Sequence, residues 1–532
     1  MSNRKITQIV FLVVVAVSVL TAFWGISIRP LGNHEAYVAV SAREMIKTGN
    51  WLVPYFNGEP RLQKTPLNYW IVAAAAKAAG QMNEFAVRLP SAALAVLSVI
   101  AIFYFVSERL NARIAALSSL IWATSLCYIA FTHTGRPEMS LAVFVTISML
   151  SFYSAVKTYS RKKQILYMLI FWLSFSLAMI AKGPAPLPLI FPALIFYFAI
   201  FRRWKVIPRL LPIIGIVIFL LIMLPWPAIV LMKVPGAVEI WKNEFFGRAI
   251  GEYASGEKEP YYYLGVMFVY LLPFSAFIPL ALASPFYRIW EERRETITYM
   301  WLWFVVGIVM MSLMGGKRQH YILPLMPAVA ILAGIIFDDM VFVNKAYSRR
   351  FAAVFWLGHL IAVFYAAAGA IVWMRTNKLY PEQLLIWVTA AVMVVISFNI
   401  SVLFWLNKKA VAVLCLFIVL CAFIIMWPYL AYGPEDENYV IYDFGQRVSI
   451  ISAGKEITAF GKADAAFIYY FGKDVPGVSD INEVYTRYSS GGGIIANGDN
   501  FRQLRRDWRF KTCIFGLDWD RGLFMKDRKN GR

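Results

Sequence analysis

The residues of this sequence that could bind a phosphate or transfer a proton are concentrated in short polar segments beside long apolar stretches. They are His34, Glu35, Arg43, Lys64, Arg136, Glu138, Lys182, Arg248, Lys317, Arg318, His320 and Tyr321. Carboxylates and imidazoles serve as general bases, whereas arginine and lysine stabilise phosphate oxygens. A set that combines both kinds of side chain suits group transfer from a phosphate-bearing substrate.

The segment Asn33-His34-Glu35 places an acid beside an imidazole. This pair could act as a general base or bind a metal ion. The alternative is structural, with Asn33 capping a helix whose first turn carries Glu35. The residues of this segment alone do not decide between the two interpretations.

Cationic residues also stand where apolar stretches begin or end. Lys64 precedes an apolar helix, Arg136 and Glu138 share a turn, Lys182 stands in a second turn, and Lys317-Arg318 open a later stretch. Each alone is compatible with a side chain that anchors a helix at the membrane interface. Together they put several cations on one face, as a phosphate-bearing lipid headgroup requires.

Composition identifies the elements that position these residues as membrane spans. Hydrophobic residues make up 60% of the 532-residue chain, and the mean hydropathy is +0.60. Stretches close to the spanning length of roughly 20 residues cover 7–28, 89–106, 114–133, 139–156, 164–181, 184–201, 210–232, 261–284, 297–314, 321–337, 352–374, 384–406 and 410–431. These thirteen stretches predict an all-α polytopic membrane protein.

The basic residues indicate the orientation of the predicted spans. With Arg4 and Lys5 on the cytoplasmic side, alternate loops hold most of the lysine and arginine, as the positive-inside rule expects. An odd number of spans then puts the C-terminal tail outside. The same distribution accounts for the net charge of +21. Nucleic acid is not an expected partner, since no basic helix interleaved with stacking aromatics occurs outside the spans.

Three regions outside the spans carry further structure. The first outside loop, 29–88, contains a helical pattern from Glu35 to Thr48 and a second at 67–79, which we expect to lie in the membrane interface. The second long outside loop, 233–260, is rich in charged and aromatic residues. The tail, 432–532, alternates short strand-like and helical runs, which predicts a small α/β domain beside the transmembrane domain 1–431.

In these residues the chain resembles the GT-C fold glycosyltransferases, specifically the group that contains bacterial aminoarabinose lipid A transferase and the protein O-mannosyltransferases. The segments that carry the resemblance are HEAYVAVSAREMIKTGNWLVPYFNGEPRLQKTPLNYW, NEFAVRLPSAALAV, GRPEM, MIAKGPAPL and GGKRQHYILPLMPAVAIL. They extend over nearly the whole chain in order. The resemblance implies a bacterial inner-membrane protein with a cytoplasmic N-terminus and a periplasmic C-terminal α/β domain.

The resemblance also implies roles for individual residues. Its catalytic residues would be Glu35, assisted by His34, and Glu138. The residues that stabilise the donor phosphate would be Lys64, Lys182, Arg248, Lys317 and Arg318, and Arg136 and Tyr321 would contact substrate. Tyr55 and Tyr69 are further candidates for substrate contact, although an aromatic belt at the membrane interface explains them equally well. A divalent metal ion held by His34, Glu35 and Glu138 is compatible with these residue types, although no spacing requires one.

Two motifs depart from the family pattern. The usual Asp-Glu followed two residues later by Arg is here His34-Glu35 followed by Tyr37, and the usual Glu-Lys-Pro-Pro is Gln63-Lys64-Thr65-Pro66. Lys64 is retained as the implied contact to the donor phosphate. The identity of the general base is therefore open between His34 and Glu35.

The expected function is transfer of a sugar from an undecaprenyl-phosphate donor to a lipid A-like lipid, a glycan or a protein on the periplasmic face. A transporter or flippase is one alternative, but it would require charged residues in mid-membrane and interrupted spans, and His359 is the one clear ionisable residue in mid-span. A catalytically inactive binding protein of the same fold is the other, because His34 occupies the place of an aspartate.

Overall fold

A computed structural model of the chain describes residues 3–247, 259–343, 345–347, 351, 355, 406, 408–431, 436–452, 454–518 and 520–526. The helices of its first half are α1 (Asn3–Phe23), α2 (Asn33–Thr48), α3 (Leu67–Ala79), α4 (Glu84–Arg109), α5 (Ala112–Ala123), α6 (Leu126–Thr132), α7 (Pro137–Lys157), α8 (Arg161–Lys182), α9 (Pro186–Phe201), α10 (Pro212–Met223), α11 (Pro225–Lys233) and α12 (Ala237–Trp241). A π-helical turn, Lys242–Gly247, follows α12.

The remaining helices are α13 (Tyr262–Tyr270), α14 (Phe277–Ala283), α15 (Arg294–Leu313), α16 (Met326–Asp338), α17 (Lys409–Ala431), α18 (Glu437–Ser452), α19 (Ala465–Phe471), α20 (Ile481–Ser489) and α21 (Gly498–Arg506). Short 3-10 segments at Trp204–Leu210, Ser284–Phe286, Arg288–Arg293 and Gln319–Leu325 connect some of them. The strands are β1 (Tyr55–Phe56), β2 (Glu59–Pro60), β3 (Ile457–Phe460), β4 (Gly477–Val478), β5 (Gly493–Asn497), β6 (Thr512–Phe515) and β7 (Arg521–Phe524).

Within the described ranges, seven helical segments are long and apolar enough to cross a membrane, namely Arg4–Phe23, Glu84–Arg109, Pro137–Lys157, Arg161–Lys182, Pro212–Lys233, Ile289–Leu313 and Gln319–Val343. The helices α5 and α6 reach the same length and hydropathy only as a pair bent by 57°, the geometry of either a broken span or a re-entrant loop. Apart from Phe355 and Leu406, the predicted spans 352–374 and 384–406 lie outside the described residues, and 184–201 contains a shorter helix. The all-α polytopic architecture is confirmed, whereas the count of thirteen spans is not.

The chain divides into two compact units along its length. One comprises Met1–Trp24, Leu62–Asn68 and Arg88–Trp427, and the other comprises Gly25–Arg61, Tyr69–Val87 and Pro428–Arg532. We call them the membrane unit and the loop–tail unit. The sequence pattern had grouped the first outside loop with the transmembrane domain, but most of that loop shares a unit with the C-terminal tail.

Small residues bring the helices of the membrane unit into close contact. A Cβ atom added to Gly334 of α16 would lie 2.7 Å from the backbone nitrogen of Ser118 in α5. Helices α7 and α8 are joined by a 2.8 Å hydrogen bond between the hydroxyls of Ser148 and Ser174. Small side chains and hydroxyl contacts are what membrane helices use to pack, because apolar burial does not drive their association in lipid.

The loop–tail unit has a five-stranded mixed sheet in the order β4-β3-β5-β7-β6. Strand β3 is parallel to β4 and β5, whereas β7 is antiparallel to β5 and β6. The predicted small α/β region of the tail is therefore present. The run of glycines at 491–493 leads into β5, with Gly491 at φ +97°.

One hydrophobic core joins the first loop to the tail inside the loop–tail unit. It contains Val38 and Met45 from α2 together with Phe444, Phe467 and Leu523 from the tail. The predicted helices of the loop are both present, α2 at Asn33–Thr48 and α3 at Leu67–Ala79. Strands β1 and β2, which the sequence analysis did not predict, form a short antiparallel hairpin between them.

Candidate functional site

A buried carboxylate surrounded by cationic side chains forms the centre of the site in the membrane unit. Glu138 is 5% exposed. Its Oε1 atom lies 3.0 Å from Nζ of Lys182 and 3.4 Å from Nε2 of His320, and its Oε2 atom lies 3.2 Å from Nε of Arg136. A buried carboxylate needs such partners, since an unpaired charge at this depth would be costly.

Three elements bring these side chains together. Glu138 stands in the first turn of α7, which Pro137 begins at a position where the missing N–H costs no hydrogen bond. Lys182 is in the last turn of α8, and His320 lies in the 3-10 segment Gln319–Leu325. A carboxylate at a helix N-terminus and a lysine at a C-terminus both complement the helix dipole.

The turn after Lys182 depends on Gly183. This residue has φ +61°, a conformation that favours glycine, and a Cβ atom there would lie 2.6 Å from Cε1 of Phe245. The aromatic ring of Phe245, in the π-helical turn Lys242–Gly247, therefore packs directly on the backbone next to Lys182. The glycine of the AKGP motif thus has a steric explanation.

The same π-helical turn supplies a partner for Lys64. Glu244 accepts a hydrogen bond from the Lys64 ammonium, whose side chain is 30% exposed. The indole of Trp241 donates a 3.1 Å hydrogen bond to the carbonyl of Leu62. These two contacts hold the segment that carries Lys64 against 237–247, so that Lys64, Phe245 and Lys182 belong to one neighbourhood.

A third connection runs between the Lys64 segment and the turn before α7. The side chain of Asn68 donates to the carbonyl of Gly135 at 3.3 Å and accepts from the hydroxyl of Ser140 at 2.9 Å. Asn68 is 4% exposed, so both contacts are shielded from water. The amide thereby fixes the segment around Lys64 relative to the turn that carries Glu138.

Three further predicted residues follow α15. The Lys182 ammonium lies 5.4 Å from the ring centroid of Tyr321, which is a cation–π contact. Lys317 and Arg318 are half-buried, and no carboxylate of the described ranges forms an ion pair with either of them.

Among the residues of the site that the structure describes, the formal charges do not cancel. The cations are Lys64, Arg136, Lys182, Lys317 and Arg318, and the carboxylates are Glu138 and Glu244, which leaves a surplus of three positive charges. Such a surplus favours an anionic ligand.

The other predicted residues belong to the loop–tail unit. Glu35 is buried at 6% exposure, and its Oε2 atom accepts a 3.2 Å hydrogen bond from the backbone N–H of Gly32. Gly32 is the N-cap of α2, so the residue expected to cap, Asn33, is replaced by its neighbour. His34 is exposed, Tyr55 is half-buried in β1 and Tyr69 is buried in α3.

Tyr37 stands where the family pattern has an arginine. The guanidinium carbon of Arg61 lies 3.8 Å from the centroid of the Tyr37 ring. A cation is therefore present above Tyr37, supplied from a position distant in sequence. Stacking of this kind suits arginine because its planar group can lie flat on an aromatic face.

Two expectations are limited by the structure. Arg248, predicted to bind the donor phosphate, lies outside the described residues. In the part of the chain that the structure describes, no three His, Cys, Asp or Glu side chains are grouped so that they could hold a metal ion. The suggested metal set of His34, Glu35 and Glu138 therefore has no structural support.

Two residues of the site were not assigned a role from sequence. His320 stands among the polar residues at the outer ends of the spans, but its contact with Glu138 was not predicted. Glu244 lies in a region recognised as rich in charge, and it is separated from Lys64 by 180 positions. A pairing over that distance leaves no local sequence signal.

The chain is similar in sequence and in fold to several known proteins. Residues 63–229, which include Lys64, Glu138 and Lys182, match the family described as dolichyl-phosphate-mannose-protein mannosyltransferase. An uncharacterized protein of Aquifex aeolicus is 31% identical over 306 residues, covering 56% of this chain and 58% of that protein. The undecaprenyl phosphate-alpha-4-amino-4-deoxy-L-arabinose arabinosyl transferase 1 of Pseudomonas fluorescens is 25% identical over 398 residues, covering 72% of this chain and 67% of that protein.

The transferase of the same description from Aeromonas hydrophila is 28% identical over 369 residues, covering 67% of this chain and 64% of that protein. The chain thus aligns with 58% to 67% of the length of these three curated relatives.

Among solved structures, ArnT from Cupriavidus metallidurans bound to undecaprenyl phosphate matches with a TM-score of 0.81 at 18% identity, covering 97% of this chain and 98% of that one. The Archaeoglobus fulgidus oligosaccharyltransferase matches with a TM-score of 0.54 at 12% identity, covering 92% of this chain and 69% of that one. The chain is therefore a multi-pass membrane protein with the GT-C fold of membrane glycosyltransferases. Within that class, its sequence and its fold are similar to those of the aminoarabinose transferases, as its motifs predicted.

Proposed function

We propose that this chain is a membrane glycosyltransferase whose donor is a sugar linked to a polyprenyl phosphate, with undecaprenyl phosphate as the carrier. The observation that carries the proposal is the surplus of cations around Glu138 and Glu244. Transfer from such a donor releases a lipid phosphate, so the site must stabilise negative charge that develops on the leaving oxygen. Lysine and arginine side chains held in place beforehand provide that stabilisation without reorganisation during the reaction.

The reaction is a displacement at the anomeric carbon of the sugar. An acceptor oxygen forms a bond to this carbon, the bond from the carbon to the phosphate oxygen breaks, and the electron pair leaves with the polyprenyl phosphate. The acceptor proton passes to a general base. Glu35 is the residue we assign to that role, with His34 as its neighbour.

The cations paired with Glu138 and those without a described carboxylate partner have different tasks in this proposal. Lys182 and Arg136 are already paired with Glu138, so this carboxylate fixes their positions before a donor binds. Lys317 and Arg318 have no carboxylate partner among the described residues and are available to the phosphate. Lys64 exchanges its contact with Glu244 for the phosphate when the donor arrives.

The orientation and the substrates are part of the same proposal. The distribution of basic residues favours a cytoplasmic N-terminus, so the site and the C-terminal tail would face the periplasm of a bacterial inner membrane. The names of the curated relatives favour an aminoarabinose or related pentosyl donor, while the matched family model favours a hexosyl one. The acceptor class includes a lipid A-like lipid, a glycan and a protein.

Lipid analysis tests the proposal in cells that lack or overproduce the full chain. Glycolipid masses should differ by one sugar residue between the two strains. Lys182→Ala should abolish the difference, and Lys163→Ala should preserve it, because Lys163 is a 60% exposed lysine at the opposite end of the same helix. The proposal is wrong if Lys182→Ala transfers the sugar as well as the unaltered chain does.

Binding separates an enzyme from an inactive relative. Purified chain in nanodiscs should bind undecaprenyl phosphate. When it is given a sugar-linked undecaprenyl phosphate together with acceptor lipids, it should release free undecaprenyl phosphate. Binding without any release, across pentosyl and hexosyl donors, would show a binding protein and overturn the enzymatic assignment.

A further inference from the structure

The loop–tail unit contains a crevice at the carboxyl edge of its sheet, apart from the cluster around Glu138. It is a shallow, open crevice, and its roughly 300 Å³ of empty space includes adjoining solvent. The residues that matter for its chemistry are Phe444, Lys462, Asp464, Phe467, Asn497 and Arg521. Strands β3 and β5 are parallel neighbours, paired through Ile457 with Gly493 and Ala459 with Ile495, so both run toward this edge.

The helices that follow these two strands cover opposite faces of the sheet. Phe467 of α19, which follows β3, packs in the core with Ile457 and Ile495. Phe501 of α21, which follows β5, packs in the other core with Phe460 and Ile494. The chain therefore diverges between β3 and β5, and ligands of open α/β sheets bind in the crevice at such a point.

Polar side chains from three elements converge in the crevice. The Oδ2 atom of Asp464 accepts a 3.2 Å hydrogen bond from the Asn497 amide and lies 3.5 Å from Nη1 of Arg521. Asp464 occupies the N-cap position of α19, but its side chain makes no capping hydrogen bond. The carboxylate thus faces the crevice instead of capping the N-terminus of α19.

The charges in the crevice favour a hydroxylated ligand over an anion. Arg521 is flanked by two carboxylates, Asp464 and, at 2.8 Å from its Nε, Asp518. Its charge is therefore compensated. Lys462 is the one lining cation for which the described residues provide no carboxylate partner, and it is exposed.

Sugar hydroxyls match the remaining polar groups. A hydroxyl can donate to the Asp464 carboxylate and accept from the Asn497 amide, because it has both a proton and free lone pairs. The rings of Phe444 and Phe467 line the apolar bottom of the crevice with the edges left uncovered by the core, 3% and 2% of their surface, where such sites place apolar groups beside a few convergent polar ones. We propose that this crevice is a saccharide-binding site for a single sugar ring. The proposal does not depend on the transferase assignment.

Saturation-transfer NMR on the full chain in nanodiscs tests it. The probes are D-glucose, D-mannose, L-arabinose and N-acetyl-D-glucosamine, each at millimolar concentration. At least one should receive saturation, and Asp464→Ala and Asn497→Ala should each reduce the transfer at least fivefold. Asp499→Ala is the matched control, because that side chain is 98% exposed and lies two positions from Asn497.

Variants of the membrane unit show which site a sugar occupies. Transfer of saturation should persist in Lys182→Ala, which alters the cluster around Glu138 and leaves the crevice intact. The proposal is overturned if no probe receives saturation, or if Lys182→Ala abolishes the signal while Asp464→Ala preserves it. It is also overturned if inorganic phosphate displaces the sugar from the unaltered chain but not from Lys462→Ala, since this would reveal an anion site.

A second variant guards against loss of folding. Ala463 lines the crevice and is half-buried. Ala463→Leu fills the space while Asp464, Asn497 and Arg521 keep their contacts. If the polar variants lower the melting temperature, Ala463→Leu provides the test. Weaker saturation transfer in this variant supports the site, and unchanged transfer excludes it.

Discussion

Lys182 donates a 3.0 Å hydrogen bond to Oε1 of Glu138, and both side chains are nearly removed from water, at 12% and 6% exposure. The last turn of one membrane helix is thereby bonded to the first turn of the preceding one. The pair also shares its carboxylate with Arg136 and His320, so any change at Glu138 affects three other groups. Stability and catalysis are therefore coupled at this position, and the two effects must be measured separately.

Glu138→Ala should destabilise the membrane unit. It leaves Lys182, Arg136 and His320 close together without a counter-charge, and breaking a buried ion pair in this way costs about 3–5 kcal/mol. Thermal unfolding of the purified chain in detergent measures the loss. Adding Lys182→Met removes one of the stranded charges and should restore part of the stability. Equal melting temperatures for Glu138→Ala and the unaltered chain would refute the structural role.

Lys64 and Glu244 should have opposite effects on affinity for undecaprenyl phosphate. Lys64→Ala removes a cation and should weaken binding about 10-fold, close to the value of one hydrogen bond to a charged group. Glu244→Gln should strengthen binding, because the phosphate no longer competes with a carboxylate for Lys64. Titration of each variant in nanodiscs with undecaprenyl phosphate gives the two dissociation constants. Lys47→Ala, with a 74% exposed side chain, is the control. Weaker binding in Glu244→Gln would contradict the exchange of partners.

The sequence predicted the parts of this site that depend on topology. Alternation of spans put Glu138, Lys182 and Lys317 on the same side of the membrane, and the structure brings Glu138 and Lys182 into contact. The periodicity of the first loop gave α3 at its observed bounds and α2 to within two residues of its start. These features follow from local apolar patterns, which do not depend on distant parts of the chain.

Contacts between distant segments were beyond sequence reasoning. The pairing of Lys64 with Glu244 depends on where the π-helical turn Lys242–Gly247 packs, and neither residue carries a local mark of the other. The structural interpretation of Asn33-His34-Glu35 has Asn33 as the cap of α2, but Gly32 takes that place and Asn33 instead accepts from the backbone N–H of Ala466 at 3.0 Å. Tertiary packing therefore overrides the local preference of Asn33 for capping the helix.

Gly183→Ala should impair activity through Phe245. A side chain at φ +61° and ψ −143°, a conformation close to the region that only glycine occupies readily, costs about 1–3 kcal/mol in backbone strain, and its Cβ atom would overlap the aromatic ring. The displaced ring should disturb the turn that carries Glu244, so sugar transfer falls. Phe245→Leu, added to Gly183→Ala, should recover part of the activity. Gly49→Ala is the matched control, with φ +71° and no atom within 4 Å of the added Cβ. Equal losses in both glycine variants would exclude the steric explanation.

Glu35→Gln distinguishes the catalytic from the structural interpretation of Glu35. A glutamine can still accept the hydrogen bond from Gly32, because capping boxes use either residue. It cannot accept a proton at neutral pH, so the rate of sugar transfer should fall about 10²–10⁴-fold while the melting temperature stays the same. His34→Ala shows how much the imidazole assists. A rate for Glu35→Gln near that of the unaltered chain would exclude Glu35 as the base.

Tyr470 should make the stability of the loop–tail unit sensitive to alkali. Its hydroxyl accepts from the N–H of Leu31 at 2.6 Å and donates to Oε1 of Glu84 at 2.8 Å, which bonds the tail to both ends of the first loop. Burial, together with the charge of Glu84, raises the pKa of Tyr470 above its ordinary value of 10.0.

The folded chain therefore keeps the Tyr470 proton at a pH where the unfolded chain loses it. The stabilising contribution is complete below about pH 10 and falls by about 1.4 kcal/mol for each pH unit above it, up to the folded-state pKa. Melting temperatures at pH 9 and pH 11 should decrease more steeply in the unaltered chain than in Tyr470→Phe, which cannot ionise. Lysines titrate in both proteins, so the difference between the two decreases in melting temperature reports on Tyr470 alone. Equal decreases would show that Tyr470 does not bond the tail to the loop as described.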